Sequence, residues 1–209
     1  MVRRDLLDKA NYYYITDPEI DLSHEEQVRV AVEKGVKIIQ YREKSKRDRE
    51  RYDDLQRIVD LCKDKALLIV NDRVDLALAA GADGVHLGQD DIPPEIVSDL
   101  IDEMILGVST HDLEQAKEYQ NIADYVAVGP IRKTRTKEDV EPELGIERAK
   151  TIAESIQVPT AAIGGIDEND IESLAGAFDM ICAISSVTRE GDLSERISYF
   201  EKKIDEAKR

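Results

Sequence analysis

Arg42 and Lys44, two positions apart, are the first chemically pointed feature of the chain. They belong to the run Gln40-Tyr41-Arg42-Glu43-Lys44, in which Gln40, Arg42 and Lys44 share one parity along an extended strand. A forked guanidinium beside an ammonium suits a phosphate or diphosphate. A solvated basic loop fits equally well, because Lys46, Arg47 and Arg49 follow. Asp72 and Asp91 each come just after a short apolar run. On neighbouring strands, two such carboxylates with phosphate oxygens and water would make a Mg²⁺ arrangement, whereas each alone reads more simply as a helix cap. In the run Gly129–Lys137, the residues Thr134, Arg135, Thr136 and Lys137 could close over an anion. The alternative is a surface loop balanced by Glu138, Asp139, Glu141 and Glu143. Gly164-Gly165 and Ser185-Ser186 end two further runs, where backbone N–H groups can hold a phosphate. A tight turn is the plainer reading of the two glycines. Of the three histidines, His24 is expected at the surface, while His86 and His111 lie at strand ends and read either as ligand contacts or, more plainly, as hydrogen-bonded core residues. Neither Cys62 nor Cys182 has a base at motif spacing, so covalent thiol catalysis is not supported.

These residues sit on a repeating frame. Short apolar runs, rich in Val, Ile and Tyr, occur at Tyr12–Ile15, Val36–Tyr41, Ala66–Val70, Gly84–Leu87, Ile105–Val108, Tyr125–Val128, Pro159–Ile163 and Met180–Ile184. Such runs read as strands buried on both faces, as in a parallel sheet. Helical segments lie between them. Ser23 and Glu26 make a capping box, Ser45–Asp64 is a long charged helix, and Gly81 stops a shorter one. Pro93-Pro94, Asp112, Gly145, Asp167 and Asp192 open the others. Eight strands alternating with eight helices predict a (β/α)₈ TIM barrel, with residues 1–209 forming one domain. An open doubly wound sheet is the alternative, although no GxGxxG or P-loop is present to support it. In a barrel the chemistry belongs at the C-terminal strand ends, and Gln40–Lys44, Asp72, Asp91, Gly129–Lys137, Gly164-Gly165 and Ser185-Ser186 fall there or in the loops just after them.

Composition narrows the function classes. With 29 basic and 45 acidic residues the formal charge is −16, which counts against a nucleic-acid binder and against an anionic membrane surface. No apolar run approaches the ~18–20 residues of a spanning helix. Two cysteines give neither a disulfide framework nor a CxxC site, and no apolar stretch follows Arg3-Arg4, so a cytoplasmic location is expected.

Taken together, the motifs resemble those of the thiamine-phosphate synthase family. The resemblance rests on Tyr14–Asp17 (YITD), Gln40–Lys44 (QYREK), Asn71-Asp72, Gly81–Asp91 (GADGVHLGQDD) and Gly107–His111 (GVSTH). Gly129–Lys137, Ala162–Ile166 (AIGGI) and Ile184-Ser185 extend it along the whole chain in order. It implies a (β/α)₈ barrel that joins a pyrimidine diphosphate to a thiazole phosphate and releases pyrophosphate. By motif, Gln40, Tyr41, Arg42, Glu43, Lys44, Asn71, Ser109 and Lys137 would bind the pyrimidine diphosphate. Thr134, Arg135, Thr136, Gly165, Ile184 and Ser185 would bind the thiazole phosphate. Asp72 and Asp91 would hold one Mg²⁺ per subunit, and Arg42, Lys44, Ser109 and Lys137 would be the catalytic set. No general base or nucleophile is evident, and a dissociative substitution hardly needs one. The partners implied are small molecules, with homo-oligomerisation left open. Arg132-Lys133 depart from the family's usual aromatic and proline, which implies a less rigid or differently seated loop. Ser186 stands where a small apolar residue often follows the serine. A thiazole tautomerase or a non-catalytic thiazole-phosphate sensor on the same barrel are the competing readings. The first of these would not need the joint presence of Arg42, Lys44, Asn71, Asp72, Asp91 and Lys137.

Overall fold

A computed structural model describes residues 2–133 and 142–209. Eight strands pair in parallel and in sequence order: β1 (Tyr13–Ile15), β2 (Ile38–Tyr41), β3 (Leu67–Asn71), β4 (Gly84–Leu87), β5 (Ile105–Thr110), β6 (Tyr125–Val128), β7 (Thr160–Ile163) and β8 (Met180–Cys182). A parallel bridge between Tyr12 and Ile181, with the Ile181 N–H donating to Asn11 O at 2.9 Å, returns β8 to the start of β1. The sheet is therefore a TIM barrel, and the open doubly wound alternative is excluded.

Between the strands run α2 (His24–Glu33), α3 (Asp48–Cys62), α4 (Val74–Ala80), α5 (Pro94–Leu100), α6 (Leu113–Tyr119), α7 (Ile146–Glu154) and α8 (Ile171–Leu174). After β8 come α9 (Ser185–Thr188) and α10 (Leu193–Ala207), while α1 (Val2–Leu7) precedes β1. The capping box of Ser23 and Glu26, the left-handed Gly81 and the caps Asp112 and Asp192 stand as the sequence predicts. Two helix starts differ. The helix after β2 begins at Asp48, because Ser45 gives its N–H and hydroxyl to Glu43 instead of capping. The helix after β7 begins at Ile171 behind Asp170, not at Asp167. Helices α1 and α9 are short additions that the periodicity does not reveal. Among the described residues no helix is long and apolar enough to cross a membrane.

Strand alternation divides the core in two. Tyr13, Ile15, Ile38, Leu67, Ile69, Ile105, Tyr125, Ala127, Ala161, Met180 and Cys182 fill the barrel, joined from α1 and its exit by Leu7 and Ala10. Residues of the other parity, such as Tyr12, Tyr14, Ile39, Leu68, Val85, Leu106, Val126 and Ile181, pack against the helices. Asp83, Asp124 and Asp179, each just ahead of a strand, accept the N–H of Leu68, Leu106 and Thr160 on the preceding strand. These acidic residues set register at the end of the barrel remote from the strand C-termini. Gly107 faces the bore, where a Cβ would overlap the Tyr125 ring. Gly107→Ala is expected to cost about 1–3 kcal/mol in urea unfolding, the usual penalty for forcing an extra methyl into a packed core. A change below about 0.3 kcal/mol would mean that the Tyr125 ring is not seated against this strand.

Candidate active site

Following the inward parity toward the strand C-termini, apolar side chains give way to Gln40 and Arg42 after Ile38, Asn71 after Ile69, His86 after Gly84, and Ser109 after Gly107. Several of these join in one buried hydrogen-bonded chain. Gln40 Nε2 donates to Tyr13 Oη at 2.8 Å, and the Tyr13 and Tyr125 hydroxyls are 2.7 Å apart. His86 Nδ1 lies 2.9 Å from Tyr125 Oη, and its Nε2 lies 2.9 Å from Ser109 Oγ. Gln89 Nε2 donates to the carbonyl of Ser109 at 2.6 Å, and His111 Nδ1 lies 2.6 Å from Gly129 O. The expectation that His86 is a hydrogen-bonded interior residue is met, but its partners put it directly beneath Ser109.

Asp72 and Asp91 come together at the ends of β3 and β4. Neither caps a helix: the cap positions of α4 and α5 belong to Arg73 and Pro93. Asp72 has a φ of +60°, and the Arg73 N–H donates to Asn71 O at 2.7 Å across it. A non-glycine residue held in this way stores on the order of 1–3 kcal/mol of strain. The Gly88 N–H donates to Asp91 Oδ2 at 2.6 Å. Burial pushes the Asp91 carboxyl up, the Gly88 N–H opposes this, and the charge of Asp72 pushes it up further. Lys44 Nζ lies 3.1 Å from Asp72 Oδ2, a contact between an exposed lysine and a half-buried aspartate. Two hard oxygen donors crowded in this way are suited to a small divalent cation.

Parity divides the Gln40–Lys44 run rather than letting it act as a unit. Tyr41 and Glu43 turn their side chains toward the helices, while Gln40 and Arg42 turn theirs toward the bore. The Tyr41 hydroxyl donates to Asp54 Oδ2 at 3.1 Å. Glu43 accepts the N–H and hydroxyl of Ser45 and the N–H of Lys46, and its Oε2 lies 3.1 Å from His24 Nε2. His24, expected at the surface, is thus buried against Glu43 and the ring of Tyr41. Burial raises the Glu43 carboxyl, yet the hydrogen bonds from Ser45, His24 and Lys46 outweigh it and hold the group at about 2. Glu43 in this way folds the turn that carries Arg42 and Lys44. The N–H of Arg42 is held in turn by Thr16 Oγ1 at 3.0 Å.

Across the bore, the ends of β6, β7 and β8 are tied to one another. Arg132 makes three hydrogen bonds of 2.6–3.0 Å to the buried carboxylate of Asp170. Arg132, one of the two residues that depart from the family's usual pattern, is thereby anchored to the start of α8. Gly165, at φ +65°, lets that anchor approach: a Cβ would stand 2.8 Å from Lys133 O and 2.9 Å from Arg132 O. Ser185 is the first residue of α9 behind Ile184, not a strand end, and Ser186 Oγ donates to Ile166 O at 2.8 Å. Asp17 accepts from Arg189 Nε at 2.9 Å and Thr188 Oγ1 at 2.8 Å, joining the loop after β1 to α9. Thr134, Arg135, Thr136 and Lys137 lie outside the described residues.

The family model for thiamine monophosphate synthase matches residues 12–187, nearly the whole barrel. The chain belongs to the thiamine monophosphate synthase family. It is 39% identical over 202 residues to the thiamine-phosphate synthase of Methanosarcina barkeri, covering 95% of this chain and 92% of the relative. It is 42% identical over 189 residues to that of Archaeoglobus fulgidus, covering 90% of each. The solved thiamine phosphate pyrophosphorylase of Pyrococcus furiosus superposes with a TM-score of 0.88 at 35% identity, over 97% of this chain and 98% of that one. Membership makes the chain an enzyme of the transferase class. Tyr13, Tyr125 and Asp170 shape the site from outside the motifs that carry the resemblance, whereas Thr16 and Gly88 lie inside two of those motifs without a role given by them.

The Glu43 turn has a testable pH signature. A carboxyl moved from an ordinary 4.5 to about 2 contributes stability above the higher value, and that contribution is lost as pH falls through the lower one. Glu43→Gln should therefore be less stable than the wild type at pH 7, with the gap closing between about pH 4.5 and 2. A gap that stays constant with pH in chemical denaturation would contradict the assignment.

Proposed function

We propose that the chain is a thiamine-phosphate synthase, joining 4-amino-5-hydroxymethyl-2-methylpyrimidine diphosphate to a thiazole phosphate with release of pyrophosphate. The observation that carries this reading is the crowding of Asp72 and Asp91 beside Lys44 at the C-terminal rim. Two crowded carboxylates beside an ammonium suit a cation and a polyanionic leaving group. Among the described residues no cluster of three or more His, Cys, Asp or Glu side chains is present. Two carboxylates would thus hold Mg²⁺, with diphosphate oxygens and water completing its shell. When bound, the ion supplies positive charge to the departing diphosphate.

The chain's own groups do the rest. Arg42 and Lys44, projecting from the turn that Glu43 folds, offer a fork and a point charge to the diphosphate. Asn71 and Ser109 face the same bore and hold the pyrimidine end, with Lys137 assigned to the leaving group by motif. With that negative charge neutralised, the exocyclic carbon–oxygen bond breaks and leaves an aminopyrimidine-stabilised cation. No side chain needs to act as nucleophile. Gly165, Ile184 and Ser185, together with Thr134, Arg135 and Thr136 by motif, hold the thiazole phosphate so that the ring nitrogen captures the cation before water does.

The decisive assay supplies the pure protein with both substrates and follows thiamine phosphate. Product should form with Mg²⁺ and not in chelator. No product, under conditions where the Methanosarcina barkeri relative turns over, would favour a tautomerase or a sensor instead. Asp91→Asn should lower kcat/KM by about 100-fold or more, several kcal/mol of transition-state stabilisation. Asp72→Asn should do likewise, yet melt no lower than the wild type without metal, because it removes a like charge and asparagine accepts a positive φ. A strongly destabilised Asp72→Asn would show the carboxylate to be structural.

Mg²⁺ and pyrophosphate should also stabilise the wild type by more than the sum of their separate effects, because each lowers the electrostatic cost of binding the other. A ligand at ~100 times its Kd raises Tm by roughly 5–10 °C in a domain of this size. Purely additive shifts at sub-saturating ligand would contradict metal bridging by this pair.

A further inference from the structure

The buried chain from Gln40 to Ser109 has a direction. Gln40 Nε2 donates to Tyr13 Oη, so that phenol must place its own hydrogen elsewhere. Burial pushes both the Tyr13 and the Tyr125 phenols up, which keeps both hydrogens in place. The neighbour available to Tyr13 is Tyr125 Oη at 2.7 Å. Tyr125, accepting there, donates to His86 Nδ1 at 2.9 Å. An accepting Nδ1 leaves the ring hydrogen on Nε2, which donates to Ser109 Oγ at 2.9 Å. Ser109 then retains one hydrogen, and among the described residues nothing accepts it. Run the other way, the chain would make Tyr13 accept from both Gln40 and Tyr125 and bury its own hydrogen without a partner, a costly arrangement at 1% exposure. The packing holds the order in place. Gly107 admits the Tyr125 ring, and the His86 and Tyr125 rings stack with centroids 5.6 Å apart.

We propose that Tyr13, Tyr125 and His86 are positioning residues that fix Ser109 as a hydrogen-bond donor to the substrate. The group seated over Ser109 is accordingly an acceptor, either an unprotonated ring nitrogen of the aminopyrimidine or an oxygen of its diphosphate. Only this identification of the ligand rests on the synthase reading; the polarity of the relay does not.

Nitrogen-15 NMR of histidine-labelled protein tests the polarity. The chain has three histidines, and the His86 signals are assigned by their loss in His86→Gln. A bare Nδ1 and a protonated Nε2 are expected; a proton on Nδ1 overturns the proposal. In turnover, Tyr125→Phe should lower kcat/KM for the pyrimidine diphosphate about tenfold, the worth of one hydrogen bond. It should have no further effect in a Ser109→Ala background, whereas independent, multiplying losses overturn the relay. If Tyr125→Phe fails to fold, His86→Gln and His86→Leu replace it. Gln preserves a donor toward Ser109 and should retain more activity than Leu, and equal losses would count against the relay. Calorimetry with inorganic pyrophosphate separates the two acceptors. A ring nitrogen predicts that Tyr125→Phe leaves pyrophosphate affinity unchanged, and a diphosphate oxygen predicts that it falls. A wild type that makes no thiamine phosphate would overturn the synthase reading while leaving the NMR result to decide the relay.

Discussion

The repulsion between Asp72 and Asp91 is the interaction around which the open end of this barrel is arranged. Adjacent parallel strands put their C-terminal ends within a few ångströms of each other, and here both ends deliver a carboxylate. Burial and mutual charge raise Asp91, and the Gly88 N–H and Lys44 offset only part of that. A chain of net charge −16 gives no long-range relief. The strained φ at Asp72 shows that local backbone preference is also overridden to keep that carboxylate in place. Such an arrangement is the one that the proposed cation and anionic ligand would relieve.

The rest of the rim supplies what that pair lacks. Basic side chains project from the turn after β2, and they do so because the outward members of the same run are occupied. Tyr41 binds Asp54, and Glu43 gathers Ser45, Lys46 and His24. On the opposite side, Arg132 on Asp170 and Ser186 on Ile166 tie three loops into one wall. Between the two sides, the bore presents Gln40, His86 and Ser109 on a floor of tyrosine hydroxyls. The division of labour follows strand parity: inward positions line the bore, and outward positions hold the turns that carry them.

Much of this was legible in the residues. Eight apolar runs of four to six residues alternating with helical segments pointed to a barrel, and their C-terminal ends gathered the glycines, amides and charges; closure itself rests on the Tyr12–Ile181 bridge between elements far apart in the chain. Helix caps at Ser23, Gly81, Asp112 and Asp192 were readable because side-chain capping is a local interaction. Asp167 misled because Asp170, three residues on, opens the helix and is also held by Arg132. His24 misled for a related reason, since its partner Glu43 lies 19 positions away on another element. The tyrosine relay was illegible because nothing local distinguishes Tyr13 from Tyr12 and Tyr14. Only the closed barrel decides which of the three turns inward to meet Tyr125, 112 positions later.

The most direct test of the account is to see where the cation goes. Crystals of the protein grown with Mn²⁺ in place of Mg²⁺ and with pyrophosphate, measured for the anomalous signal of manganese, would locate it without reference to turnover. The account predicts a strong peak at about 2.1 Å from carboxylate oxygens of both Asp72 and Asp91, with pyrophosphate oxygens in the same shell. A metal peak at other residues, or pyrophosphate bound at the rim with no metal on these two carboxylates, would contradict it.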